Sequence, residues 1–374
     1  MNRDCENIKV SIVVPLYYGK RYIDGLLKMV KENQSYIDIN RYKIELELIF
    51  INDCDESVEQ YIPQDTILVE NGVNKGTHLS RVIGLEKASG QYILFLDQDD
   101  LITEDYVVSQ ISHIGSADAV MCNGYYRNNK KIFAKAPNID SNWMIEHSSL
   151  IRSPGQLIIK KTSIPNEWRK QIIKVSGADD MFLWILMGAY NENININPNC
   201  LFTHVENGDN ASFDWEKQMY SLKELYGYIK ENELLLGAFF NKCEKRILKC
   251  INKFQEYAEL EKKWREINEN NMCFKSYFAE YNIEKIAIYG CGVIGIKLFE
   301  ELKKQKIEVE YFIDKDAGYY GKGINVYKPT DELNRVDAII VTPIFAYDAI
   351  YNIMIKKNVG KILSLEYIFD SMMK

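Results

Sequence analysis

Short apolar runs, each closed by a polar or acidic cluster, alternate through the first hundred residues with stretches of helical periodicity. Residues 10–14 read as a buried strand that ends at Pro15. Residues 21–33 follow as a helix with Ile23, Leu26, Leu27 and Val30 on one face. A second strand over 45–51 stops at Asn52, Asp53, Cys54 and Asp55, and 66–69 makes a third. Asn74, Lys75 and Gly76 turn the chain into a helix over 78–88, closed by Ser89 and Gly90. The next strand, 91–96, carries no charge and stops at Asp97, Gln98, Asp99 and Asp100. This alternation predicts an α/β domain with a mostly parallel sheet. Pro15, Asp53 and Asp97 then lie at strand C-terminal ends along one edge, where a parallel sheet opens its crevice.

Farther along, 119–126 reads as a strand and 153–160 as a turn into another. Residues 168–175 read as helical, and Asp179 and Asp180 precede an apolar helix over 181–190. From 215 to about 271 the pattern changes to Leu, Lys, Glu and Tyr without proline, which predicts two or three amphipathic helices with a break at Gly237. One stripe holds Leu222, Leu225, Tyr226 and Ile229; another holds Ile247, Leu248, Ile251 and Phe254. Packing against neighbouring domains accounts for both. Lys242, Lys245, Arg246 and Lys249 beside Phe239 and Phe240 also suit a membrane surface. From Ile283 a second α/β pattern begins. Strand 285–289 runs directly into Gly290, Cys291, Gly292 and, three residues on, Gly295, which open a helix to Lys304. Strand 308–313 ends at Asp314, and 336–342 and 361–364 are further strands. The expected domains are 1–214, a helical linker 215–280, and 281–374.

Composition narrows the class. A chain of 374 residues that is 47% hydrophobic holds more than one core. The net charge of −7 argues against nucleic acid as a partner. The eight cysteines contain no C-x-x-C and read as reduced core residues of a cytoplasmic protein. Asp4 and Glu6 precede the first apolar run, so no signal peptide is expected. The longest apolar stretch, 338–355, is interrupted by Pro343 and Asp348 and is not expected to span a membrane.

Three carboxylates crowded after one strand repel one another and are most easily held together by a hard cation, which often brings a substrate phosphate. A solvated acidic turn is the plainer reading of Asp97, Asp99 and Asp100 taken alone. The surrounding residues decide between them. Val13, Val14, Pro15, Leu16 and Tyr17, then Phe50 to Asp53, then Asn74, Gly76, Arg81, Gly84, Leu85, Ala88, Gly90, Tyr92, Phe95, Leu96 and Asp97, Asp99, Asp100 together resemble the signatures of the family 2 glycosyltransferases of GT-A fold. Tyr18, Asn52 and Val82 depart from the family pattern.

The resemblance implies a metal-dependent inverting transferase that takes a nucleotide-diphospho-sugar, with uridine preferred, as donor. A glycan or lipid-linked acceptor in surface-polysaccharide synthesis, at the inner face of the membrane, is the family-level expectation. Pro15, Tyr17, Asp53, Arg81, Asp97 and Asp100 would attend the nucleotide-sugar. Asp99, with Asp97 and His204, would hold Mn2+ or Mg2+. Asp180, or its neighbour Asp179, would be the base; an N-terminal helix cap is the plain alternative. His204 with Asn210 and Ser212 resembles the family's late segment.

The tail, 281–374, has the order strand, glycine turn, helix, strand, acid of a dinucleotide fingerprint. It resembles small Rossmann-like modules at the ends of some surface-polysaccharide enzymes. Gly290, Gly292, Gly295 and Asp314 are its candidate site for an NAD-like nucleotide. An empty scaffold or an oligomer contact fits the same pattern. Two further functions stay open: an NAD(P)-dependent sugar-modifying enzyme centred on that turn, and a non-catalytic nucleotide-sugar-binding regulator.

Overall fold

The structure is a computed structural model that describes residues 7–126, 129–205, 214–315 and 324–374. Asn210 and Ser212 lie outside the described residues. The chain divides into two compact units, Met1–Ile251 and Asn252–Lys374.

In the first unit the strands are β1 (Ile8–Leu16), β2 (Ile44–Asn52), β3 (Ile67–Glu70), β4 (Tyr92–Phe95), β5 (Leu101–Ile102), β6 (Ala119–Tyr126), β7 (Leu157–Lys160) and β8 (Ile194–His204). They form one sheet in the order β3-β2-β1-β4-β7-β6-β8-β5. The first four in that order are mutually parallel, with Leu16 opposite Asn52 and Val13 opposite Phe95. β7 runs antiparallel to both β4 and β6. The helices are α1 (Ile23–Ile39), α2 (Thr77–Lys87), α3 (Tyr106–Ile114), α4 (Ser141–His147), α5 (Asn166–Lys170), α6 (Asp179–Ala189), α7 (Trp215–Glu231) and α8 (Glu233–Leu236). The chain leaves this unit within α9 (Phe240–Glu269).

Strand alternation sorts the core into two layers. Val10, Ile12, Val14 and Leu16 of β1 join Leu26 and Ile37 of α1 and Val107 and Ile111 of α3 in one cluster. On the other face Gly84 of α2 meets β1 so closely that an added Cβ would stand 2.2 Å from a methyl of Val13. Phe95 packs there against Trp168 at 5.5 Å between ring centres.

One expected helix is absent. Only α5, ending at Lys170, is helical within 168–175. Residues 171–178 run as an irregular strap because their backbone amides bond outward: Ile173 to His78 Nδ1, Lys174 and Val175 to Glu224. α1 runs six residues past its expected end at Asn33, since Ile37 is also buried. β5 and β8 had no clear signal in the sequence; β8 mixes apolar residues with asparagines that bond to α3 and the residues around it.

The second unit contains the end of α9, α10 (Phe274–Glu280), β9 (Ile286–Tyr289), α11 (Val293–Lys304), β10 (Val309–Ile313), β11 (Val326–Tyr327), β12 (Ala338–Val341), α12 (Tyr347–Met354), β13 (Lys361–Ser364) and α13 (Leu365–Met372). Its sheet is parallel throughout, in the order β11-β10-β9-β12-β13. The segment expected as a linker is thus shared: α7, α8 and the start of α9 belong to the first unit, the rest of α9 and α10 to the second.

The three glycines after β9 differ in what they do. Gly290 has φ +98°, a conformation that disfavours a side chain. A Cβ on Gly295 would stand 1.9 Å from the Gly290 carbonyl oxygen, so this glycine lets α11 reach the strand. A Cβ on Gly292 would meet nothing within 4 Å. Gly295→Ala should therefore destabilise the C-terminal unit by about 1–3 kcal/mol, the usual cost of overpacking. Gly292→Val should leave its thermal midpoint nearly unchanged. Melting curves of the two variants check both.

Candidate active site

A cavity of about 570 Å3 opens at the C-terminal ends of β1, β2 and β4. Pro15, Tyr17, Asp53, Arg81, Asp97, Asp99, Asp179, Asp180 and His204 all line it. The convergence expected from connectivity alone is therefore present. A larger hollow, about 790 Å3, lies at the opposite end of β4 around Gly90, Lys160 and Arg169. Its walls lack the grouped carboxylates, so chemistry and not size assigns the site.

Arg81 is the joint of this cavity. Its side chain is 6% exposed and reaches Asp97 with one terminal nitrogen and Asp179 with the other. Asp97 also accepts from Ser153 Oγ at 3.1 Å. Burial works to lower the ionisation of Arg81, but Asp179 and then Asp97 hold it firmly cationic. Arg81 Nε is buried without a hydrogen-bond partner among the described residues. Arg81 was expected beside base and ribose; the structure gives both its terminal nitrogens to carboxylates.

The acid pair at the start of α6 is split by its surroundings. Ala178, which has no capping side chain, is the N-cap, so neither aspartate caps the helix. Burial works to raise Asp179, and the Arg81 guanidinium overrides it, leaving the carboxyl below its ordinary value. Asp180 has no such partner. Burial, then the Asp179 carboxylate, push it up to about 7. Its Oδ1 accepts from the Met181 amide at 2.6 Å.

Asp53 is 4% exposed, and its two oxygens accept from Asn71 Nδ2 and the amides of Lys75 and Gly76 at 2.8–2.9 Å. It therefore fixes the 71–76 turn at the cavity wall. Tyr17 is half exposed, and its amide donates to Gln98 Oε1 at 3.0 Å. Tyr18 has φ +45°, the left-handed region that asparagine tolerates better than tyrosine.

Asp99 is pushed up to about 6, first by burial and then by Asp100 and Asp97. Asp100 is 1% exposed; its Oδ1 faces His204 Nδ1 at 3.1 Å and accepts from the Val205 amide at 3.2 Å. Its Oδ2 is buried with no hydrogen-bond partner among the described residues. That oxygen and the Asp99 carboxylate are hard donors of the kind Mg2+ and Mn2+ prefer. Among the described residues no three His, Cys, Asp or Glu side chains gather into a metal-binding group. Asp97 and His204, expected as ligands beside Asp99, also bond Arg81 and, through Nδ1, Asp100.

Several lining residues went unread in the sequence. Arg152, Lys217 and Gln218 line the cavity, the last two from α7. Arg152 lies over the Tyr126 ring at 5.5 Å. His78 is fully buried behind the site, bonded to Trp168 O and to the Ile173 amide at 2.9 Å each. Because Ile173 donates to Nδ1, the ring is neutral with its proton on Nε2. No local motif marks any of these. In the tail, Asp314 was expected to meet ribose hydroxyls; its Oδ2 accepts from the Cys291 amide at 2.8 Å.

Residues 11–172 match the model of Glycosyl transferase family 2. The N-terminal unit thus contains a family 2 glycosyltransferase domain, with an α/β architecture consistent with the GT-A fold. An uncharacterized glycosyltransferase of Haemophilus influenzae is 38% identical over 125 residues, 31% of this chain and 46% of the relative. The poly(ribitol-phosphate) beta-N-acetylglucosaminyltransferase TarS of Staphylococcus aureus is 28% identical over 105 residues, 26% of this chain and 17% of the relative. The crystal structure of residues 1–349 of TarS is similar at 16% identity with a TM-score of 0.45, covering 63% of this chain and 71% of that one. This chain spans less than half the length of these curated relatives.

Replacing Arg81 by Met should leave Asp97 and Asp179 facing each other without their cation. Breaking a buried ion pair in this way costs about 3–5 kcal/mol. Arg81→Lys should recover only part of this, since one ammonium does not span two carboxylates as the guanidinium fork does. Urea midpoints of the two variants check the order.

Proposed function

We propose that the N-terminal unit transfers a sugar, with inversion, from a nucleotide-diphospho-sugar to a hydroxyl of a glycan or lipid-linked acceptor. A uridine donor, surface-polysaccharide synthesis and work at the cytoplasmic face of a membrane belong to the same reading. The observation that carries it is Asp180: a carboxylate poised near neutrality in the same cavity as the strand-end acids. A general base works best when its pKa lies near the working pH.

In this reading the donor lies across the strand ends, with base and ribose against Pro15, Tyr17 and the Asp53-braced turn. Asp180 takes the proton of the acceptor hydroxyl as its oxygen attacks the anomeric carbon. The bond from that carbon to the diphosphate oxygen breaks, and its electron pair leaves with the nucleotide. Asp99, with Asp97 and His204, would hold Mn2+ or Mg2+, and Asp100, bonded to His204, would order them. A divalent cation so bound supplies positive charge against the charge growing on the diphosphate. Asp179, tied to Arg81, fixes the start of α6 so that Asp180 faces the acceptor.

The domains proposed remain a glycosyltransferase at 1–214, a helical segment at 215–280 and a Rossmann-like module at 281–374. In the last, the open position at Gly292 and the strand order support a nucleotide site. No helix among the described residues is long and apolar enough to cross a membrane. Of the basic residues near Phe239, Lys242 pairs with Glu146 at 3.0 Å and Arg246 bonds Ile145 O and Ser148 Oγ. Peripheral membrane attachment would therefore rest on Lys245 and Lys249.

Asp180→Asn should lower turnover by about 100-fold or more with donor affinity nearly unchanged. The rising limb of the wild-type pH profile should have its midpoint near the Asp180 value, about 7. Stability should move the other way. The folded-state value lies above the ordinary carboxylate value, so the folded chain holds the proton more tightly than the unfolded one. Stability is full at low pH and falls as pH rises toward about 7. Asp180→Asn removes that loss, so its melting midpoint should gain on the wild type as pH rises from about 4 to about 7 and level off above. A larger turnover loss in Asp179→Asn than in Asp180→Asn would reverse the assignment.

Asp99→Asn should abolish the thermal stabilisation given by UDP with Mn2+ while keeping the fold. At about 100 times its Kd a ligand of the folded state adds about 2.7 kcal/mol. Equal shifts in wild type and variant would remove Asp99 from the metal site.

A further inference from the structure

The strap 171–178 delivers the chain to Asp179 and Asp180, and it has almost no secondary structure of its own. Its order comes from two sides. From α2, His78 accepts from the Ile173 amide at 2.9 Å, and Thr77 bonds Ser176 Oγ through its amide and its hydroxyl at 3.2 Å each. From α7, Ser221 Oγ donates to Val175 O at 2.6 Å and accepts from the Ala178 amide at 2.9 Å. Glu224 Oε2 accepts from the amides of Lys174 at 2.7 Å and Val175 at 3.2 Å. Tyr228 OH donates to Ile172 O at 2.9 Å. Ser221, Glu224 and Tyr228 are spaced three and four apart and so share one helix face.

The fit between strap and helix is close. Gly177 has φ +144°, and a Cβ there would stand 2.6–2.9 Å from the Gln218 amide group. Ser221 is fully buried, so both of its hydrogen bonds are shielded from water. Ala178, the residue it holds, is the N-cap of α6 and lies two residues before Asp180. α7 lies wholly beyond the stretch 11–172 that matches the family model.

We propose that Ser221 and Glu224 of α7 are positioning residues for Asp180, holding the 171–178 strap against the cavity so that the carboxylate faces the acceptor side. This rests on Asp180 acting as the base. Neither residue touches substrate; each acts through the backbone it binds. A displacement of about 1 Å at a reacting group is enough to cost about 100-fold in rate. The helical segment after the matched domain is then a working part of the catalytic unit.

The test uses the full chain and a double-mutant cycle. A panel of UDP-, GDP- and TDP-sugars with Mn2+ supplies the donor, and release of the nucleoside diphosphate is measured. Deuterium exchange of the strap amides and thermal shift with UDP and Mn2+ are read on the same samples. Ser221→Ala and Glu224→Ala should each lower kcat by about tenfold or more. Donor KM and the UDP shift should change less than about twofold. Exchange at 172–178 should rise in both variants. Glu224→Gln keeps an oxygen acceptor for the two amides and should recover most of the rate. In an Asp180→Asn background, Ser221→Ala should cost nothing further in rate.

A folded Ser221→Ala chain with unchanged kcat and unchanged strap exchange would overturn the proposal. So would a full additional loss in the Asp180→Asn background, which would mean that Ser221 acts elsewhere. If Asp180→Asn alone turns over like the wild type, the base assignment falls, and the positioning role falls with it. If no donor is cleaved, an unchanged strap exchange in both alanine variants overturns the latch, while raised exchange with an unchanged UDP shift supports it.

Discussion

The first unit depends on one buried cation. Arg81, on α2, ties the end of β4 to the start of α6 through Asp97 and Asp179. The two contacts span 16 and 98 positions of sequence. A guanidinium at this depth is tolerable only because two carboxylates surround it, and they are tolerable only because it is there. The pairing also separates two adjacent acids. Asp179 stays ionised and fixed by Arg81, whereas Asp180 is left partly buried beside that negative neighbour. A near-neutral base is the physical consequence of that asymmetry, and no special residue type is needed.

The strand-end acids divide their labour similarly. Asp53 spends its oxygens on the turn after β3, and Asp100 gives one oxygen to His204 and Val205. Asp97 is held by Arg81 and Ser153. Of the acids after β4, Asp99 and Asp100 are both raised above the ordinary carboxylate value, in each case first by burial. The acidic cluster reads as a scaffold of committed carboxylates around few reactive ones.

What the sequence made legible follows from locality. The parallel strands β1, β2 and β4 were readable because each is an uncharged run that stops at a polar cluster, and connectivity then brought Pro15, Asp53 and Asp97 to one edge. Asp179 and Asp180 were readable as a pair, but their unequal roles depend on Arg81, almost a hundred residues away. The 168–175 stretch looked helical because its composition is; its amides are claimed by His78 and Glu224, which no local window contains. β8 was hidden for the same reason, since its Asn195 and Asn197 bond to α3 and the residues around it. The amphipathic stripe of α7 was visible as Leu222, Leu225, Tyr226 and Ile229, of which Tyr226 is only partly buried and the others are buried. Its other contacts, from Lys217, Gln218, Ser221 and Glu224, carry no periodic apolar signal.

The two sheets reach their crevices by one plan and furnish them differently. β3-β2-β1-β4 and β11-β10-β9-β12 share the same order, with the first strand of each unit beside its fourth. In parallel sheets the crevice opens beyond the strand ends where that order reverses, between the first strand and the fourth. In the first unit the reversal is lined by side-chain charge: Asp97 and Asp99 after β4, with Arg81 behind them. In the second it is lined by backbone. Gly290 turns with a positive φ, Gly295 brings α11 against the strand, and Gly292 leaves open the space before the helix amides. Carboxylates at a strand end suit a ligand whose phosphates arrive with a cation, and bare amides at a helix start suit phosphates that arrive without one. Asp314 turns back to the Cys291 amide and stiffens that turn. The same topology thus ends in grouped carboxylates in the first unit and in a glycine turn in the second.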